Sequence, residues 1–198
     1  MSAKILGING SLRSQANSVK LVEAVLESAR RAGAETRMLD LRKYSLPLYE
    51  AHEAYDDNKV VAEVIELVTW ADGCVIGSPE YHGCMSGATK NFLDFLYREI
   101  AGKLFGLVAA TGGSQGNGCF DNLRAAIQFC HGWTLPYNTA ATGKDFGSDG
   151  QLINERVVDR LNRMGRDLAT YAPLLHVQFR SDIEAPEGAQ QGFAKWMA

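Results

Sequence analysis

Three short segments hold most of the residues whose types could grip a charged, flat ligand. The first is Gly10-Ser11-Leu12-Arg13-Ser14-Gln15-Ala16-Asn17-Ser18, which leads into a helical pattern. A helix start presents free backbone N–H groups and a favourable dipole to an anion. Ser11, Ser14, Asn17 and Ser18 add short hydrogen-bonding side chains, and Arg13 adds a planar cation that suits phosphate. Several neutral donors and one positive charge are what a terminal monophosphate needs. No Gly-Lys-Ser/Thr follows, and the glycine spacing is not G-x-G-x-x-G, so neither nucleotide fingerprint applies. A plain polar turn with helix caps is the alternative, because Ser and Asn start many helices.

The second segment is Ser78-Pro79-Glu80-Tyr81-His82-Gly83-Cys84-Met85-Ser86-Gly87, continued by Ala88-Thr89-Lys90-Asn91. Its aromatic, imidazole and backbone groups could line a flat ring, although a lone tyrosine or histidine more often packs or faces solvent. The third is Thr111-Gly112-Gly113-Ser114-Gln115-Gly116-Asn117-Gly118. Glycines let the backbone approach a ligand closely, and their N–H groups can stabilise negative charge on a heterocycle. The stretch Gly112 to Gly116 also matches the nucleophile elbow G-x-S-x-G. In that rival reading, a hydrolase would use Ser114 with His131 or His176 as base and Asp145 or Asp159 behind it.

Each segment follows an apolar run that reads as a strand. Residues 4–9, 35–39, 74–77, 104–110 and 134–141 are the five strand candidates. Helical spacing recurs in Val22, Val25, Leu26 and Ala29, with Gly33 closing that helix. It recurs in Val61, Val64, Ile65 and Val68, and again in Ala88, Phe92, Phe95 and Leu96 after a possible Ser86 cap. Leu123, Ala126, Ile127 and Cys130 mark a fourth helix; Ile153, Val157, Leu161, Met164 and Leu168 mark the last. Strands alternating with helices imply an α/β fold with a parallel sheet covered on both faces. Charges in 35–39 and Pro136 in the last strand point to sheet edges. The order 2-1-3-4-5 of a flavodoxin-like three-layer sandwich fits, and ligands then sit beyond the carboxyl ends of the strands. The three segments should therefore meet on one rim.

Together, Gly10-Ser11-Leu12-Arg13, Ser78 to His82 through Lys90-Asn91, and Gly112-Gly113 resemble the NAD(P)H-dependent FMN reductases. That flavodoxin-like family includes quinone, chromate and azo-dye reductases. The resemblance implies that Ser11, Arg13, Asn17 and Ser18 hold the FMN phosphate. It implies that Pro79, Glu80, Tyr81 and His82 line the flavin ring, and that Thr111, Gly112, Gly113 and Ser114 meet its pyrimidine edge. Many members carry a serine where this chain has Ala16, which removes one phosphate donor. The implied activity is hydride transfer from NADPH or NADH to flavin N5, then on to a small acceptor such as a quinone. No catalytic side chain is implied. An FMN-binding electron carrier without direct NAD(P)H reaction is the other reading of the same fold. A homodimer or homotetramer is also implied, and Leu93, Phe95, Leu96 and Tyr97 would suit an interface.

Bulk properties agree with this class. The chain has 198 residues, 46% hydrophobic and 22% charged, with net charge −3. That suits one domain over residues 1–198 and disfavours nucleic acid or membrane surfaces as partners. No apolar stretch is long enough to span a bilayer. Met1-Ser2-Ala3-Lys4 leads straight into a strand without a secretory pattern. Four cysteines without C-x-x-C spacing read as free thiols, with Cys74 and Cys130 buried, in a reducing cytoplasm. His52 and His176 stand alone, so no metal site is expected. The tail from Gln178, with Phe179, Phe193 and Trp196, has no clear period; it either covers a neighbouring subunit or frays.

Overall fold

In the computed structural model, residues 2–186, 189 and 192–196 are described. The side chains of Phe193 and Trp196 lie outside that set. The strands are β1 (Lys4–Asn9), β2 (Glu35–Asp40), β3 (Gly73–Tyr81), β4 (Cys84–Met85), β5 (Leu104–Thr111) and β6 (Trp133–Thr142). The helices are α1 (Asn17–Arg31), α2 (Lys59–Trp70), α3 (Gly87–Asp94), α4 (Asn117–Phe129) and α5 (Glu155–Glu184).

The parallel sheet runs β2-β1-β3-β5-β6, with β4 added antiparallel to β3. Leaving out that hairpin strand, the order is the expected 2-1-3-4-5, and β2 and β6 are the edges. Pro136 is tolerated because it lies in a bulge, where three residues of β6 span the step from Phe105 to Leu107 of β5.

Strand alternation sends side chains to two cores. Ile5, Val75 and Val108 pack with Leu21, Val22, Val25, Leu161, Met164 and Leu168 under α1 and α5. Leu6, Ile8, Ile76 and Leu107 pack with Val64, Phe92, Leu123 and Ile127 under α2, α3 and α4. These layers fix the strand ends, and the strand ends fix the loops.

Four details differ from the sequence reading. The segment 78–85 is not an open loop: β3 continues to Tyr81, turns through His82 and Gly83, and returns as β4. Both turn residues have positive φ, 52° and 77°, which is how two residues reverse the chain. The last helix begins after Asn154, whose side chain accepts from the N–H groups of Arg156 and Val157, so Ile153 stays outside it and is exposed. That helix continues through Pro173 to Glu184, and Phe179, expected in the tail, is buried in it against Ala101. Cys130 is only half-buried at the end of α4, and Cys119 takes its place beside Cys74 as a buried thiol. Burial pushes both Cys74 and Cys119 up to about 12, which keeps them as protonated packing groups.

Candidate functional site

The three segments do meet on the carboxyl rim of the sheet. The first is joined to the second through Gly10. Its N–H donates to Gly77 O at 2.7 Å, and its carbonyl accepts from Ser86 Oγ at 2.7 Å. Ser86 also caps α3 by accepting from Thr89 N at 3.1 Å. Ser78 Oγ, buried beneath, accepts from Ser86 N at 2.9 Å.

The second segment is joined to the third by Glu80, whose carboxylate accepts a short hydrogen bond from Ser114 Oγ. Ser114 is held in turn: its carbonyl accepts from Thr111 Oγ1 at 2.8 Å and its Oγ from Gly116 N at 3.2 Å. The start of α4 presses on the hairpin turn, because a Cβ added at Gly118 would lie 2.1 Å from Gly83 O.

The first segment is a cradle of polar groups. Asn9, the last residue of β1, is fully buried and uses its whole amide. Its Oδ1 accepts from Ser18 Oγ at 2.9 Å and Ser11 N at 3.3 Å. Its Nδ2 donates to Ser11 O at 3.1 Å and Asp40 Oδ1 at 2.9 Å. Ser11 Oγ accepts from Arg13 N at 3.3 Å. The Ser18 hydroxyl hydrogen is therefore committed to Asn9, whereas the Ser11 hydroxyl serves only as an acceptor in these contacts; both serines are buried beneath the loop.

Ala16 occupies the cap position of α1 and supplies no side-chain acceptor, and the first turn holds no acidic residue. A helix start without a cap leaves N–H groups seeking an acceptor. Asn17 is half-buried in that turn, and Arg13 is exposed at its mouth.

The other candidate residues lie along the same rim. Pro79 is buried in β3 beside Ala110 of β5. Tyr81 is 46% exposed and His82 stands exposed at the hairpin tip. Gly112 and Gly113 are open: a Cβ built at either meets nothing within 4 Å. Gly113 has φ 141°, a conformation that side chains rarely adopt.

The hydrolase reading fails on geometry. Ser114 donates to Glu80, and both candidate bases lie at the opposite end of the strands. His131 O accepts from Gly102 N, just before β5 begins, and His176 feels the charges of Lys103 and Asp72 there. The eight residues of β5 separate those groups from Ser114, about 25 Å at the rise of a strand. Asp159 is paired with Arg163, and Asp145 caps its own turn.

Asn9, Asp40 and Arg42 were not among the expected site residues. Asn9 and Asp40 are register partners at the carboxyl ends of β1 and β2. A polar residue ending an otherwise buried strand must find partners, and that signal is visible in the sequence. Asp40 is buried, which raises its carboxyl, but hydrogen bonds from Arg42 and Asn9 outweigh burial and hold it below the usual carboxylate range.

The model of the family described as NADPH-dependent FMN reductase matches residues 3–147. This chain belongs to that family. It is an oxidoreductase of the NAD(P)H-dependent FMN reductase class. An NAD(P)H-dependent FAD/FMN reductase of Geobacillus thermodenitrificans is 31% identical over 165 residues, covering 81% of this chain and 89% of that protein. An NADPH azoreductase of a Bacillus species is 31% identical, covering 80% of this chain and 90% of that protein. Among solved structures, the flavoenzyme NAD(P)H:(acceptor) oxidoreductase of Paracoccus denitrificans superposes with a TM-score of 0.73 at 17% identity, covering 87% of this chain and 98% of that one. At that identity the likeness speaks for the fold. The family match covers the three segments together, from before β1 to just after β6.

Proposed function

We propose that this FMN reductase family member binds FMN on the carboxyl rim and uses NADPH or NADH to reduce a small acceptor such as a quinone. The uncapped start of α1 carries the reading. Its first turn holds no acidic residue, and it shares the carboxyl rim with an open glycine loop. Those two features fit the two ends of FMN, a phosphate and a flat heterocycle. When bound, FMN supplies the hydride chemistry.

The chain's own residues bind, orient and expose. Ser11, Arg13, Asn17 and the backbone N–H of Ser18 hold the phosphate. Pro79, Glu80, Tyr81 and His82 border the ring. Thr111, Gly112, Gly113 and Ser114 present backbone N–H groups to its pyrimidine edge, where charge accumulates on reduction. Glu80 and Ser114 keep that edge in place by tying hairpin to loop.

The rest of the chain is read with the site. Residues 1–198 act as one flavin-binding unit. An apolar groove of about 680 Å³ between α3 and α4 contains Leu93, Leu96, Tyr97 and Phe129, the last 77% exposed. A second copy, giving a homodimer or homotetramer, would cover it. The four cysteines are free, in keeping with a reducing cytoplasm. No helix among the described residues is long and apolar enough to cross a membrane.

The test is anaerobic. Purified protein is mixed with stoichiometric FMN, NADPH or NADH is added, and the flavin's visible band is followed. Bleaching faster than with free FMN is the expected result, and the two rates rank the nucleotides. Flavin binding without bleaching would replace the reductase by an electron carrier. No flavin binding would overturn the reading.

A further inference from the structure

We infer that Asp40 and Arg42 form a positioning clamp that sets the backbone of residues 11–15 for anion binding, without themselves touching the anion. The inference rests on the FMN reading above. Arg42 Nε donates to both Asp40 oxygens at 2.9 Å, and its Nη2 makes a short hydrogen bond to Oδ2. Its Nη1 reaches the loop, donating to Ser14 O at 2.6 Å and Arg13 O at 3.4 Å. Asp40 is also tied through Asn9 to the carbonyl of Ser11. One buried carboxylate thus organises two donors that hold three loop carbonyls.

The consequence follows from the peptide unit. In a trans peptide the C=O and the next N–H point in opposite directions. Holding the carbonyls of Ser11, Arg13 and Ser14 toward the clamp turns the N–H groups of Leu12, Ser14 and Gln15 away from it, toward the open side of the loop. Three carbonyl oxygens that would repel an anion are masked by the same contacts. The charge of Arg42 is spent on Asp40, so the long-range attraction belongs to Arg13. The two arginines divide the work: Arg13 attracts and Arg42 shapes.

That division is testable in flavin binding. Arg42→Lys keeps the charge and the pairing with Asp40, but one ammonium cannot span carboxylate and both carbonyls. FMN and riboflavin, which lacks the phosphate, are titrated into flavin-free protein, with flavin fluorescence as readout and circular dichroism to confirm folding. In Arg42→Lys the FMN dissociation constant rises about tenfold, the worth of a charge-assisted hydrogen bond, while riboflavin binding is unchanged. The salt dependence of FMN binding stays as in the wild type. Arg13→Ala flattens that salt dependence instead. Asp40→Asn, which releases Arg42 while nearly preserving volume, also weakens FMN binding and leaves riboflavin binding unchanged, but steepens the salt dependence because the Arg42 charge is no longer spent on a carboxylate; it serves if the lysine variant does not fold. Unchanged FMN affinity in both folded variants, or equal losses for FMN and riboflavin, would overturn the clamp. A wild-type protein that binds neither flavin would remove the FMN reading itself.

Discussion

The two rims of the sheet carry similar residue types and put them to different use. At the amino rim, Lys103 is buried and donates to the carbonyls of Thr69 and Ala71. Cys74 and His176 lie close enough to feel its charge. Burial lowers Lys103 and raises Cys74, and it lowers His176 to about 4, helped by the Lys103 charge. At the carboxyl rim the polar groups are hydrogen-bonded to each other, and an uncapped helix start and open glycines face outward. At the first rim titration shifts follow burial, whereas at the second Asp40 is shifted by hydrogen bonds that outweigh burial, and the glycine loop leaves backbone open. Shifted groups are candidates for function only when something can reach them.

The largest expected effect tests the open glycines. Gly113→Pro fixes φ near −65° where the chain has 141° and removes a donor. FMN-dependent NADPH oxidation should fall about 100-fold, as when a charge-stabilising donor is lost, with circular dichroism unchanged. Full turnover in a folded variant would remove that loop from the site.

Next comes the joint between hairpin and α4. Gly118→Ala drives a methyl group into Gly83 O, a backbone atom that cannot rotate aside. Urea unfolding should show a loss of about 2 kcal/mol, the range of overpacked interiors. An unaltered midpoint would mean that the joint yields.

The two rims also separate by pH. His176 is held at about 4 in the fold, against 6.5 unfolded, by burial and by the Lys103 and Arg180 charges, with Asp72 opposing. Between those values the unfolded chain binds the extra proton, so stability falls as pH drops from 6.5 to 4. Asp40 is held below its ordinary 3.8, so its contribution is complete above 3.8 and is lost as pH falls through its folded value. His176→Gln should flatten the first limb of a stability-against-pH curve and leave the second in place. An unchanged first limb would assign that loss elsewhere.

The smallest effect is at the α1 cap. Ala16 has the extended backbone of a cap, φ −77° and ψ 132°, but no acceptor. Ala16→Ser should stabilise the flavin-free protein by about 1 kcal/mol, measured by thermal unfolding, and weaken FMN binding, because the new hydroxyl occupies N–H groups offered to the phosphate. Unweakened FMN binding in a stabilised variant would show that the phosphate does not use those N–H groups.

Much of this was legible in the sequence because it depends on local rules. Apolar runs ending in Gly10, Ser78 and Thr111 marked strand ends, and helical spacing marked the helices between them. What escaped was set by partners far along the chain. Ser78 to Met85 has the polar and glycine content of a loop, yet it pairs as a hairpin once β3 is anchored between β1 and β5. Ser18 has the type and place of a phosphate ligand, but its hydroxyl goes to Asn9, whose orientation depends on Asp40, 31 residues away.

By itself, then, the sequence determined the alternation of strands and helices, the sheet order consistent with it, and the rim where three polar segments must converge. Periodicity and strand-to-loop transitions act over a few residues, and crossover rules leave few ways to assemble them. Only the tertiary structure decided which groups on that rim are spent on one another and which remain available. Asn9, Asp40 and Arg42 meet through the register of β1 on β2 and the turn that follows. Ser114 turns to Glu80 rather than to a histidine, because both candidate histidines lie at the far end of the sheet, the length of β5 away.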